Sequence, residues 1–152
     1  MKNIGIRIFD AENEMHVKLS HILDLLSNAN KYYWFIEFVD GMPAPHCGKE
    51  IMALIEERSR AKIARSISWE ELSQLSSKFF QIYDLTILAS LKEISPEPYE
   101  GDLRYAERYD FVATLVDGNF WEIYCKDEDV LALYRSEFDE IEWITGNEKA
   151  SF

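Results

Sequence analysis

His46, Cys47 and Glu50 fall within ten residues, "GMPAPHCGKE" (Gly41–Glu50), the stretch of this 152-residue chain with the most reactive side chains. A cysteine at or just before a helix N-terminus is a candidate nucleophile, because the helix dipole favours the thiolate. A catalytic reading would centre on Cys47, with His46 and Glu50 beside it. The spacing works against a pair made by His46 itself, since side chains of adjacent residues point apart. A catalytic thiol would instead need His16 or His21, delivered by the fold. The plainer reading is a connection: Pro43 and Pro45 stiffen the exit from a strand, and Gly48 and Lys49 open the next helix.

Other chemistries find less support. Cys47 and Cys125 lie far apart, and no CxxC or HxxxH pair is present to start a zinc site. His16 and His21, five residues apart, would sit on different faces of a helix. No metal or other cofactor is expected. The six glycines, at 5, 41, 48, 101, 118 and 146, do not form the dinucleotide fingerprint, the nucleophile elbow or the phosphate loop. Neighbouring carboxylates such as Glu56-Glu57, Glu70-Glu71 and Asp139-Glu140 read as solvated faces or caps. Asp127-Glu128-Asp129 lacks the ligand spacing of a calcium loop. Cys125 ends an alternating run with Trp121 and Ile123 and reads as a buried small hydrophobe.

Charge is the stronger signal. The formal net charge is −12. Residues 1–92 carry 12 acidic and 11 basic side chains, whereas residues 93–152 carry 16 acidic and 5 basic. A field of that sign repels phosphate backbones and attracts a basic protein. The candidate partner surface comprises Asp127, Glu128, Asp129, Glu137, Asp139, Glu140 and Glu142, with Tyr99, Tyr105 and Tyr109 as exposed aromatic anchors of the kind that dominate interfaces. Arg58, Arg60, Lys62 and Arg65 form a basic cluster, "RSRAKIAR", for which pairing within the protein is a reading at least as good as nucleic acid. The leading expectation is therefore a non-enzymatic binding module for a basic protein, of which an immunity or inhibitor protein is one concrete form. The alternative is a thiol-dependent enzyme or small-ligand binder centred on Cys47.

The elements that must position these residues can be read from periodicity. "NIGIRIF" alternates as a half-buried strand with Ile4, Ile6 and Ile8 on one side. Asp10 offers an N-cap to a helix running to about Ser27, with Glu12 and Glu14 near its start and Met15, Leu19, Ile22, Leu23 and Leu26 at helical spacing. "YYWFIEFVD" is apolar enough for a strand covered on both faces, closed by Asp40-Gly41. A helix from about Cys47 to Arg58 turns Ile51, Leu54 and Ile55 inward, and "KIARSI" suits a short strand. Ser68 and Glu71 match a capping box ahead of a helix with Trp69, Leu72, Leu75 and Phe79. "IYDLTILASL" is a strand with Tyr83, Leu85, Ile87, Ala89 and Leu91 facing inward. Residues 92–109, with Pro96, Pro98 and Gly101, form an irregular connection with room for a helical turn from Asp102. "FVATLV-DG-NFWEIYC" is a hairpin around Asp-Gly. Asp127 caps a helix with Val130, Leu131, Tyr134 and Phe138, "EIEWIT" is a last strand, and residues 146–152 form a tail.

Six strands and four helices, starting β-α-β-α and ending β-β-α-β, make an α+β fold: one domain over residues 1–152 with a mixed sheet. The length and the 47% hydrophobic content suit a domain that folds without a disulfide or metal. No apolar run reaches the roughly 20 residues that span a bilayer. The start, "MKNIGIRIFDAENE", has no apolar region with a cleavage site. A cytoplasmic chain is expected, its oligomeric state left open. The segments "IGIRIFDAENEMHVKLSHILDLL", "YYWFIEFVDG" and "FWEIYCKDEDVLALY…IEWIT" together resemble a small family of uncharacterised proteins from Gram-positive bacteria. That resemblance implies a compact bacterial domain and carries no activity to any residue.

Overall fold

The structure, a computed structural model, describes residues 2–9 and 17–146. Among these, seven strands form one sheet: β1 (Asn3–Ile8), β2 (Tyr33–Pro43), β3 (Arg65–Ile67), β4 (Phe79–Ser90), β5 (Phe111–Val116), β6 (Phe120–Cys125) and β7 (Ile141–Thr145). Five helices accompany them: α1 (Leu19–Asp24), α2 (Gly48–Arg60), α3 (Trp69–Lys78), α4 (Asp102–Arg108) and α5 (Glu128–Glu137). The sheet is open, in the order β3-β2-β4-β5-β6-β1-β7. The α+β class holds. Every strand pair is antiparallel, however, where the sequence suggested a mixed sheet. The reason is topological: the first strand enters between β6 and β7, antiparallel to both, a placement set by long-range pairing.

Alternation gives the two faces different fates. One face presents Ile6 and Ile8, Trp34 and Ile36, Leu85, Ile87 and Ala89, Phe111, Ala113 and Leu115, and Trp121 and Ile123. Onto it pack the apolar sides of α1, α2, α3 and α5, through Ile22, Ile51, Leu72, Leu75, Leu131 and Tyr134. Three aromatic tips reach backbone acceptors inside this layer: Trp34 Nε1 donates to Ala29 O at 2.7 Å, Trp121 Nε1 to Val17 O at 2.9 Å, and Tyr134 Oη to Ile22 O at 2.5 Å. Each removes a buried donor that would otherwise cost stability. The opposite face is covered over part of its area by α4 and the chain around it. Phe35, Leu88, Val112, Tyr124 and Ile144 there meet Tyr105 and Tyr109.

Local signals are kept where the sequence places them. Ser68 Oγ accepts from Glu71 N at 3.0 Å, and Glu71 Oε1 accepts from Ser68 N at 3.4 Å, completing the capping box. Asp117 and Gly118 both take positive φ, 51° and 67°, as a tight right-twisted hairpin requires. Asp127 Oδ1 accepts from Asp129 N at 2.9 Å at the start of α5.

Several expectations are corrected. Asp40-Gly41 does not end β2. The strand runs on to Pro43 through bulges, and a Cβ at Gly41 would lie 2.4 Å from Gln81 O, so glycine permits the close pairing. Strand β1 is covered on both faces rather than half-buried, and its irregularity between Asn3 and Gly5 turns Ile4 towards the second cluster. Leu91 lies past the end of β4 and is exposed. Asp10, Glu12, Glu14, Met15 and His16, and the tail beyond Gly146, lie outside the described residues.

Candidate functional site: an acidic groove beside the fourth helix

On the α4 face, register writes two parallel rows across the sheet. The first, Phe35–Leu88–Val112–Tyr124–Gly5–Ile144, is apolar and lies beneath α4. Tyr124 stands opposite Gly5, where a Cβ would lie 2.6 Å from Ile123 O and 3.0 Å from Tyr124 Cδ1. Glycine makes room for the tyrosine ring. The second row, Phe38–Thr86–Thr114–Glu122–Arg7–Glu142, is almost wholly polar.

The polar row ends in an ion ladder. Glu122 is fully buried, and its Oε2 lies 3.5 Å from Arg7 Nε and accepts from Tyr124 Oη at 3.3 Å. Arg7 Nη1 continues the ladder to Glu142 Oε1 at 2.8 Å. Burial, and then the charge of Glu122, push the Tyr124 phenol well above its ordinary range, so it stays a hydrogen-bond donor.

At the other end a groove opens between β2, β4, β5 and the approach to α4. Its volume is about 240 Å³, and Phe38, Thr86, Thr114, Val116, Tyr99 and Asp102 are among its walls. A register shift between Ile36 and Phe38 inserts Glu37 as an extra residue, which brings Glu37 and Phe38 to the same groove. Tyr105 Oη donates to Glu37 Oε2, and Tyr99 Oη donates to Asp102 Oδ1 at 2.7 Å. Asp102 is only 6% exposed, and its Oδ2 has no hydrogen-bond partner among the described residues.

These surroundings disfavour ionised carboxylates. Burial, and then the negative charge of Asp102, push the Glu37 carboxyl up to about 7, against an opposing pull from Arg58. Burial also raises Asp102, partly offset by the hydrogen bond from Tyr99. Arg58 is itself buried, with Nη1 donating to Ile36 O at 2.9 Å and to Ile63 O at 3.4 Å. A carboxyl that titrates near neutrality in a groove can exchange a proton or meet a cation.

The residues singled out from sequence are distributed differently. Cys47 is the N-cap of α2, half-buried against the main core. His46 is exposed with φ of 71°, and Glu50 accepts from Lys78 Nζ at 2.6 Å. His21 Nδ1 is taken up by Lys18 N at 3.1 Å. Among the described residues, no hydrogen bond joins the Cys47 thiol to a histidine, and no group of three His, Cys, Asp or Glu side chains could hold a metal. Cys125 is buried, as expected, and burial pushes its thiol up to about 11.

Asp127, Glu128, Asp129, Glu137, Asp139 and Glu140 are exposed at the two ends of α5. Glu128 pairs with Lys2 at 3.5 Å. Glu142 does not belong with them, because the pleat turns it to the opposite face, onto Arg7. Tyr105 and Tyr109 are 3% and 1% exposed and serve as core, not as anchors; Tyr99, at 46%, is accessible. Of the basic cluster, Arg60 pairs with Glu56 at 2.8 Å and Arg65 with Glu57, while Arg58 is held by carbonyls.

Sequence reasoning missed Glu37 and Asp102. The signal available was a single glutamate in an otherwise apolar strand and an aspartate just after Gly101. Comparison with family models, with curated proteins and with solved structures finds no match for this chain.

Proposed function

We propose that this chain is a non-enzymatic binding protein that takes a basic protein partner on the acidic surface around α5. The observation that carries the reading is the exposure of Asp127, Glu128, Asp129, Glu137, Asp139 and Glu140 at the ends of one ten-residue helix. At 1.5 Å per residue those ends are about 15 Å apart, well within the footprint of a protein interface. The helix is anchored from beneath by Leu131, Tyr134 and Phe138, so its outer side is presented on a rigid support. Charge complementarity of this kind chiefly accelerates encounter. An immunity or inhibitor protein directed at a basic toxin or nuclease fits the same physics.

The test is capture of partners by the full chain at low and high salt, followed by association kinetics with the captured protein. Glu128→Lys together with Glu137→Lys leaves the Asp127 cap and the helix core intact. It is expected to slow association at least tenfold at low salt. An association rate unchanged at low salt would remove the basis of the reading.

A further inference from the structure

We propose that the groove between β2 and α4 binds a small organic cation, an alkylammonium or guanidinium group, between the carboxyl groups of Glu37 and Asp102. This does not rest on the acidic surface around α5, which lies on the other side of the sheet.

The decisive observation is Asp102. It is more than nine-tenths buried and lines the groove, yet Oδ2 has no hydrogen-bond partner among the described residues. An orphaned buried acceptor is destabilising, more so when it is charged, so native structures keep few of them. A donor that enters the groove and reaches this closed oxygen would satisfy it. The charged residues lining the groove are Glu37, Asp84 and Asp102, all acidic, which excludes an anion. One oxygen of Asp84, Oδ1, accepts from Asp117 N at 2.9 Å. Thr86 and Thr114 add hydroxyls 3.4 Å apart on the floor. Phe38 and Tyr99 are partly exposed rings at the walls, whose faces attract a cation. Val116, with the ring of Phe38, provides apolar surface for a short alkyl chain. The volume, about 240 Å³, falls below the range of about 300–1,000 Å³ of drug-sized pockets. The ligand is therefore small.

The groove is also coupled to pH. The groups facing Glu37 are Tyr105 and Asp102 from α4, Tyr99 before it, Tyr109 after it and Arg58 from α2. Burial and the charge of Asp102 push the carboxyl of Glu37 up to about 7. A bound cation favours the carboxylate, so binding releases a proton. The carboxylate is the competent form, so affinity rises about tenfold from pH 6 to pH 8, following the deprotonated fraction. An alkylammonium stays charged throughout, with a pKa near that of lysine, about 10.4.

The experiment is a titration of the full chain followed by amide NMR shifts. The probes are n-butylammonium and n-butylguanidinium, with n-butanol and butyrate as neutral and anionic matches. Both cations are expected to shift the amides of Phe38, Thr86 and Thr114, and butanol and butyrate to leave them in place. Asp102→Asn should weaken butylammonium at least tenfold, and the probe series on the unaltered chain stands even if that variant does not fold. N-acetyl-lysine amide and N-acetyl-arginine amide separate the two sources of the chemistry. Tighter binding of these than of the butyl probes assigns the groove to a partner's basic side chain, and the reverse assigns it to a free amine. Equal shifts with butanol, or no shift by any cation at concentrations that would saturate a site of about 1 mM affinity, would overturn the proposal. A flat or falling pH profile would overturn the role of Glu37.

Discussion

The two faces of one sheet have been built to different rules. The face under α1, α2, α3 and α5 is closed, and its strand positions from Ile6 to Trp121 are apolar, with polar tips pointed at backbone carbonyls. The face under α4 is divided between an apolar row covered by Tyr105 and Tyr109 and a polar row left largely to its own internal pairing. Burial of apolar surface is non-directional and tolerates many solutions. A buried polar row tolerates few, because each group needs a partner at the correct distance. That Oδ2 of Asp102 lacks one among the described residues is what separates a candidate site from a second core.

The contrast can be broken most severely on the closed face. Trp121→Ala removes a fully buried ring and the donor to Val17 O, and is expected to destabilise by about 3–5 kcal/mol in chemical denaturation. A loss below about 1 kcal/mol would mean that this layer is not the main core. On the α4 face, Gly5→Ala should cost less, about 1–3 kcal/mol, because the new methyl group meets the Ile123 carbonyl and the Tyr124 ring in an already filled space. Near-UV circular dichroism should report the displaced tyrosine.

The smallest effect is the most discriminating. Glu37 is raised to about 7 in the folded chain, above its ordinary value of 4.5. The folded state therefore holds the proton that the unfolded chain has lost between about pH 4.5 and pH 7. Its contribution to stability is fully present below the unfolded value, declines across that window and is lost above about pH 7. Glu37→Gln abolishes the titration. The variant should thus gain on the wild type as pH rises from 5 to 8, by on the order of 1 kcal/mol, since the side chain is only half-buried and solvent screens it. A pH-independent difference in midpoint denaturant concentration would show that Glu37 is not perturbed by its burial.

Legibility followed the range of the interactions. The capping box at Ser68, the Asp117-Gly118 hairpin, the Asp127 cap and the burial of Cys125 were all readable, since each depends on residues within a few positions. The helical turn from Asp102 was readable too, though not its purpose. The charge imbalance of the last sixty residues was visible, but its assignment to one surface was only partly right. Glu142 turns away to Arg7, because a strand sends alternate residues to opposite faces. Tyr105 looked exposed because it lies next to a proline-rich connection. The fold instead packs it over Phe35, Leu88 and Val112.

What the sequence determined by itself was therefore the run of elements and those ends marked by a cap or a tight turn, because backbone propensity, capping and period-2 or period-3.6 alternation are short-range properties. What only the tertiary structure decided was the insertion of β1 between β6 and β7, the antiparallel register that lines Thr86, Thr114, Glu122, Arg7 and Glu142 into one row, and the meeting of Glu37 with Asp102. These depend on contacts between residues distant in the chain. Their energy comes from pairing and burial that no local window contains.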